Sequence, residues 1–354
     1  MIEFRHGLDT LPTYHAEERE WKIKLDANEN NDNLPPRVLE KIEHAMRSAA
    51  FNRYPDPDAR NLRSLIASDF GLQPENILVG NGSSELLEKF CYSFGGSGRR
   101  ILIPSPSFSM YAIFSKMAES EPVLLPLNED FSLDADILLE AAEVSTPGLI
   151  ILCTPNNPSG NVTPIDAIER IAANVSCPVL IDEAYHEFSG GPSAVSLIPK
   201  YENVIVAKTF SKAYSLASAR VGYIIAHPEL LAGVRRSVRP YHINALSLLT
   251  AEIVYAMKDQ FRPVIAQIIS ERERISKHLG QRKEIRVFPS DSNFILIKFP
   301  GAEKLVSFLE SKSIAVRFFG SDAGLENCIR VSVGRPSEND AFLRSVDEYF
   351  GGNK

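Results

Sequence analysis

Thr209-Phe210-Ser211-Lys212-Ala213-Tyr214-Ser215-Leu216-Ala217-Ser218-Ala219-Arg220-Val221-Gly222 sets a single lysine among hydroxyls and small residues, with an arginine eight positions on. An apolar run, Val204 to Ala207, leads into it, so Lys212 is expected just past a buried strand. A lone lysine after a strand is usually a solvated turn residue. Here three further apolar runs, upstream in the chain, end in chemically loaded residues.

Asp182-Glu183-Ala184-Tyr185 follows Pro178 to Ile181, so the aspartate emerges at the carboxyl end of a strand. Open α/β sheets bind ligands outside those ends. Cys153-Thr154-Pro155-Asn156-Asn157-Pro158-Ser159-Gly160 follows the run Gly148 to Leu152. Gly80-Asn81-Gly82-Ser83-Ser84-Glu85 follows Asn76 to Val79 and opens an amphipathic helix with Leu86, Leu87, Phe90 and Cys91 on one side. Four strand ends thus supply a phosphate-type loop, an asparagine, an aspartate with a tyrosine, and a lysine. The Gly-x-Gly piece alone also fits a dinucleotide loop, but it lacks that fingerprint's third glycine and carries Glu85 in the following helix.

The order of these motifs resembles the fold-type I, pyridoxal-phosphate-dependent aminotransferases, and among them the histidinol-phosphate aminotransferase group. Lys24 to Asn30 (Lys-Leu-Asp-Ala-Asn-Glu-Asn), Arg53-Tyr54-Pro55-Asp56, Pro104 to Tyr111 and Ile329-Arg330-Val331 carry the likeness, which runs from about residue 20 to about residue 335. Each motif alone is modest; their joint order and spacing are specific. The resemblance implies an α/β fold, with a large domain built on a mainly parallel sheet flanked by helices and a smaller α+β domain. It also implies pyridoxal 5′-phosphate as cofactor and a homodimer with a shared active site.

The roles follow from the family, residue by residue. Lys212 matches the Schiff-base lysine, whose amine later carries a proton. Asp182 matches the carboxylate that keeps the ring nitrogen protonated; the bland alternative is a helix cap. Asn157 and Tyr185 match donors to the ring's 3′ oxygen, although Asn-Pro is also a turn signal and a core tyrosine is common. Ser83 and Ser84 match the amide cradle for the phosphate, with hydroxyls from Thr209 and Ser211 and a guanidinium from Arg220. Phe108 matches the ring that covers one cofactor face, with a plain core phenylalanine as the lesser alternative. Tyr54 resembles the tyrosine that reaches the neighbouring subunit's cofactor phosphate. For the substrate, Arg330 matches the carboxylate arginine. Arg317 matches a second arginine of the histidinol-phosphate group, and its plain alternative is a surface ion pair. Asn28 lies in the motif lining the substrate mouth, and Tyr14 aligns loosely with an N-terminal tyrosine near the substrate phosphate. Two departures fall near the substrate entrance: Asn30-Asn31-Asp32-Asn33-Leu34-Pro35 replaces the usual Asn-Pro-Tyr-Gly run, and Ser84 stands where many relatives have Asp.

Composition bounds the alternatives. The 354 residues are 44% apolar and 23% charged, which suits one large and one smaller domain. Net charge is −7 and no basic run stands out, so no nucleic-acid partner is expected. The apolar runs are strand-length, so no membrane partner is expected either. Met1 to His6 has no apolar signal core, and a cytoplasmic enzyme is expected. Cys91, Cys153, Cys177 and Cys328 are scattered without Cys-x-x-Cys spacing and the seven histidines show no metal spacing, so reduced thiols and no metal are expected.

Along the chain, residues 1–40 read as a polar arm contributing to the small domain. Residues 41–245 alternate strands with helices as the large cofactor-binding domain, and residues 246–354 form a linking helix and the small domain. In that last part Phe261 to Leu279 reads as a long helix. Strands are expected at Asn293–Phe299, Ile314–Phe318 and Ile329–Val333, and helices at Ala302–Lys312 and Glu338–Phe350. The functional expectation is an aminotransferase taking a small-molecule amino donor and keto acceptor, histidinol phosphate and 2-oxoglutarate first among them, in histidine biosynthesis. Aromatic amino acids are the nearest rival substrates. A decarboxylase of a phosphorylated amino acid keeps the cofactor and changes the bond broken. A non-enzymatic binding module fits poorly, because every cofactor-contacting position is filled and no basic helix-turn-helix precedes residue 20.

Overall fold

The computed structural model describes residue 11, residues 19–320 and residues 322–351. Its elements in order are β1 (Ile23–Leu25), α1 (Pro36–Met46), α2 (Arg60–Phe70), β2 (Ile77–Gly80), α3 (Ser83–Phe94), β3 (Arg100–Ser105), α4 (Met110–Met117), β4 (Glu121–Pro126), α5 (Ala135–Ser145), β5 (Leu149–Cys153), α6 (Ile165–Asn174) and β6 (Val179–Asp182). Then come β7 (Val204–Thr209), β8 (Gly222–Ala226), α7 (Pro228–Val234), α8 (Ala245–Ala256), α9 (Arg262–Leu279), β9 (Arg286–Val287), β10 (Phe294–Lys298), α10 (Ala302–Ser311), β11 (Ile314–Phe318), β12 (Cys328–Ser332) and α11 (Pro336–Gly351).

The larger sheet has seven strands in the order β2-β8-β7-β6-β5-β3-β4. Strands β4, β3, β5, β6 and β7 run parallel, and β8 is antiparallel to both its neighbours. Every residue of β5, β6 and β7 is buried. That is why these strands read as unbroken apolar runs instead of alternating: helices cover both faces of a parallel sheet. Their register aligns Cys153 with Asp182 and Asp182 with Ala207, so the carboxyl ends of the central strands finish level. Whatever follows them in sequence is delivered to one edge.

The smaller sheet has the order β1-β11-β12-β10-β9. Only three residues of the N-terminal segment join it, with Ile23 paired to Ile314 in a parallel ladder. That short strand carries Asp26, Ala27 and Asn28 toward the larger sheet. One continuous set of buried apolar side chains, from Ile77 and Leu152 through Tyr255 to Phe294 and Phe342, underlies both sheets. Among the described residues no helix is long and apolar enough to cross a membrane.

Turn chemistry positions the start of α3. Gly82, with φ of +81°, lets the chain leave β2 and enter the helix in a conformation that disfavours other residues. Strand β8 then presses on this turn: a Cβ on Gly222 would lie 2.2 Å from the Ser83 backbone nitrogen and 2.7 Å from the Gly82 carbonyl carbon. Backbone cannot swing aside as a side chain can. Gly222→Ala is therefore expected to lower stability by about 1–3 kcal/mol, the usual cost of overpacking, measured by denaturant unfolding. Wild-type stability in that variant would show that the helix start is not held against β8.

Candidate functional site

Lys212 lies three residues beyond the end of β7. Its Nζ donates to the Ala27 carbonyl at 3.0 Å and sits 5.9 Å from the centre of the Tyr185 ring. Burial, helped by the positive charge of Arg330, pulls this amine down to about 8. A neutral, nucleophilic amine is thus available near physiological pH, which an exposed lysine does not offer.

Asp182 ends β6 and is 4% exposed. Burial pushes its carboxyl up to about 6. Two donors oppose that shift: the Tyr111 hydroxyl reaches Oδ2 at 2.8 Å, and the Ala184 N–H reaches Oδ1 at 3.1 Å. Behind Asp182, Lys208 Nζ bridges Glu183 and Glu187, each at 3.1 Å. Burial works against both charges, but the attraction between them wins: Lys208 is raised and Glu183 lowered from their usual ranges. Glu183 is completed by the Ser193 hydroxyl at 2.7 Å and the Ala194 N–H at 2.6 Å.

The smaller sheet supplies the opposite wall. Arg330, on β12, donates from Nη1 to Asn157 Oδ1 and from Nη2 to the Asp26 carbonyl, both at 2.6 Å. Its Nε is buried without a partner among the described residues. Asn28, fully buried with φ of +54°, donates from Nδ2 to the Tyr185 hydroxyl at 3.1 Å and exchanges hydrogen bonds with Ser332. Burial raises the Tyr185 phenol to about 12, so it stays a neutral donor.

The third part is the turn before α3. Arg220 packs so closely over Gly82 that a Cβ there would meet its Nη2 at 2.6 Å. Arg220 Nη1 also donates to the Ser211 hydroxyl at 3.3 Å, and Thr209 Oγ1 accepts from the Ser211 N–H at 3.1 Å. Ser215 and Arg220 both adopt positive φ, and such backbone cost is retained where surrounding structure fixes a functional loop. A helix N-terminus, a guanidinium and two hydroxyls thus converge, as an anion requires.

These features fit the expected pyridoxal phosphate. The Arg220–Gly82–Ser83 turn offers a phosphate cradle, Asp182 a buried acceptor, Lys212 a free amine, and the unpartnered Arg330 Nε a donor for a carboxylate. Lys212, Asp182, Tyr185, Asn157, Asn28 and Arg330 share one connected region. Phe108 packs edge-on to Tyr111, with ring centres 5.4 Å apart. Ser83 and Ser84 open α3. Arg317 lies directly across the β11–β12 ladder from Arg330. Tyr54 stands apart: the residue is 81% exposed, and its ring stacks on that of Tyr241 with centres 4.6 Å apart. Tyr14 lies outside the described residues. Tyr111 and Lys208 were not marked by the sequence reading. Tyr111 sits on the apolar side of a helix, where an aromatic reads as core, and Lys208 follows the apolar run Val204 to Ala207.

Residues 20–346 match the family described as aminotransferase class I and II. This chain belongs to the class I and II aminotransferases. The histidinol-phosphate aminotransferase of Thermoanaerobacter sp. (strain X514) is 36% identical over 350 residues, covering 98% of this chain and 99% of that protein. That of Caldanaerobacter subterraneus subsp. tengcongensis is 37% identical over 350 residues, with the same coverage of both. Among solved structures, the histidinol-phosphate aminotransferase from Sinorhizobium meliloti in complex with pyridoxal-5′-phosphate superposes with a TM-score of 0.91, at 26% identity, over 100% of this chain and 99% of that one.

For this aminotransferase the state of the lysine is directly testable. In the cofactor-free protein, acylation of Lys212 followed by mass spectrometry should show a midpoint near pH 8. A midpoint near the ordinary lysine value, about 10.4, would contradict the desolvated amine.

Proposed function

We propose that this aminotransferase exchanges the amino group of glutamate with the keto group of imidazole-acetol phosphate, yielding histidinol phosphate for histidine biosynthesis, with pyridoxal 5′-phosphate as cofactor. The observation that carries the substrate assignment is the pairing of Arg317 directly opposite Arg330. Like charges facing each other across a ladder are destabilising, and the charge of Arg317 adds to the burial that draws Arg330 down to about 10. Two guanidiniums kept together against that repulsion suit a substrate that brings a phosphate or a second carboxylate. The full-length likeness to histidinol-phosphate aminotransferases supports the same reading.

Pyridoxal phosphate supplies an electrophilic carbon and an electron-withdrawing ring. The chain's own residues do the rest. Ser83, Ser84, Thr209, Ser211 and Arg220 hold the phosphate, and Phe108 covers one ring face. Asp182 accepts from the ring nitrogen and stabilises its positive charge, while Asn157 and Tyr185 donate to the ring oxygen. Lys212 Nζ is the buried amine that would take the proton from substrate Cα. Held in the site, it supplies proximity that free cofactor lacks. Arg330 binds the substrate carboxylate through its unpartnered Nε, with Asn157 and the Asp26 carbonyl fixing the guanidinium plane. Asn28 lines the mouth and orients Tyr185.

The site is completed by a second copy of the chain, with the stacked Tyr54–Tyr241 pair at the contact and Tyr54 reaching the partner's phosphate cradle. Residues 41–245 form the cofactor-binding domain, and residues 246–354 with the N-terminal 1–40 form the smaller one. The enzyme works in the cytoplasm.

Substrate choice is read by mixing the holoenzyme with histidinol phosphate, phenylalanine or glutamate and following loss of the visible cofactor band. Histidinol phosphate should react much faster than phenylalanine. Arg317→Ala should raise KM for histidinol phosphate about 10- to 100-fold, the loss of one charge-assisted contact of about 1.5–3 kcal/mol. It should leave phenylalanine kinetics within about threefold. Preference for phenylalanine in the wild type, with no effect of Arg317→Ala, would move the enzyme to the aromatic substrates.

A further inference from the structure

Tyr111 is wholly buried on α4, and its hydroxyl donates to Asp182 Oδ2 at 2.8 Å. A hydroxyl taken out of water needs a partner, because leaving it unpaired costs about 1–3 kcal/mol; this one donates to Asp182 and also interacts with the Cys153 thiol. Asp182 in turn has two oxygens with different partners, Oδ1 with the Ala184 N–H and Oδ2 with Tyr111. An ionised carboxylate has about four acceptor directions, so two remain for another donor. The same turn that brings Tyr111 also brings Phe108, three residues earlier and edge-on to it. The Tyr111 N–H bonds back to the Phe108 carbonyl at 3.0 Å, and the Ser115 hydroxyl bonds to the Tyr111 carbonyl at 2.7 Å. The ring that would cover the cofactor and the hydroxyl that grips the aspartate are therefore fixed by one rigid stretch.

We propose that Tyr111 is a positioning residue whose hydroxyl clamps the Asp182 carboxylate as an oriented acceptor for the cofactor's ring N–H. The inference rests on the transaminase reading and deepens it, by assigning the group that keeps the aspartate in its working state. Other groups face the same carboxylate. Cys153 lies at the paired position on β5, Glu183 and Tyr185 follow just beyond the end of β6, and Lys208 stands on β7. Of these the cation opposes protonation and the anion favours it, but none is a hydrogen-bond donor to Asp182. Without the Tyr111 hydroxyl the carboxylate keeps its burial and loses its side-chain donor, so it takes up a proton more readily. A protonated Asp182 cannot hold a protonated ring nitrogen.

The test is Tyr111→Phe, which removes one oxygen and keeps the ring. Cofactor affinity of the variant apoprotein, by equilibrium titration, should weaken about tenfold. The acid limb of the pH profile for the amino-donor half-reaction should move up by about one unit, and kcat should fall more than KM changes. A side chain that only packs would lower unfolding stability and leave the acid limb in place. Wild-type affinity and an unshifted limb in Tyr111→Phe overturn the proposal. Should that variant fail to fold, 3-fluorotyrosine at position 111 donates more strongly at nearly the same size. The acid limb should then move to lower pH, and an unmoved limb overturns the proposal as well. The wild-type protein separates the two readings. Failure of the wild type to bind pyridoxal phosphate sinks both, whereas normal wild-type transamination with an unaltered Tyr111→Phe profile sinks this one alone.

Discussion

An amine and a carboxylate held out of water at the ends of adjacent strands are the constraint around which the rest of the structure is arranged. Water would hold Lys212 fully charged at neutral pH and would leave Asp182 an ordinary acid. Burial moves the amine down to about 8 and the carboxyl up to about 6. Charges so placed are tolerated only where neighbours satisfy them. Tyr111 and the Ala184 N–H do this for Asp182, and the Ala27 carbonyl does it for Lys212. Beneath them Lys208, Glu183 and Glu187 form a second buried group in which each charge has its counter-charge.

The dry site exists because two sheets close on it. The larger sheet brings Lys212, Asp182 and Asn157 to one edge through the level ends of β5, β6 and β7. The smaller sheet brings Arg330 and, through the three-residue β1, Ala27 and Asn28. Hydrogen bonds cross between them at Arg330–Asn157, Asn28–Tyr185 and Lys212–Ala27. A substrate carboxylate bound by Arg330, as proposed, would act on the same guanidinium that grips Asn157, so binding at one wall would be felt at the other.

Much of this was legible in the sequence, for a physical reason. Buried parallel strands carry unbroken apolar runs, so the loaded residues after Val79, Leu152, Ile181 and Ala207 stood out as strand ends. Ile314–Phe318 was read with the bounds the strand has, and the long helix expected from Phe261 begins at Arg262. What stayed hidden depends on tertiary geometry. Strand β8 is as fully buried as its parallel neighbours, so its sequence does not reveal that it runs antiparallel. Strand β1 is too short for a periodic signal. Tyr111 looks like any aromatic on an apolar helix face until the position of Asp182 is known. Lys208 looks like a break in a strand until Glu183 and Glu187 are seen around it. Tyr54 shows the opposite limit: among the described residues its ring meets only that of Tyr241, and its proposed role needs a second copy.

The most direct measurement is to load the purified protein with pyridoxal phosphate, trap the adduct with borohydride, and map it by peptide mass spectrometry. A single adduct on Lys212, lost in Lys212→Ala while the variant stays folded, is the expected result. Labelling at other lysines with Lys212 unmodified, or equal labelling in Lys212→Ala, would contradict the assignment of this lysine and of the site built around it.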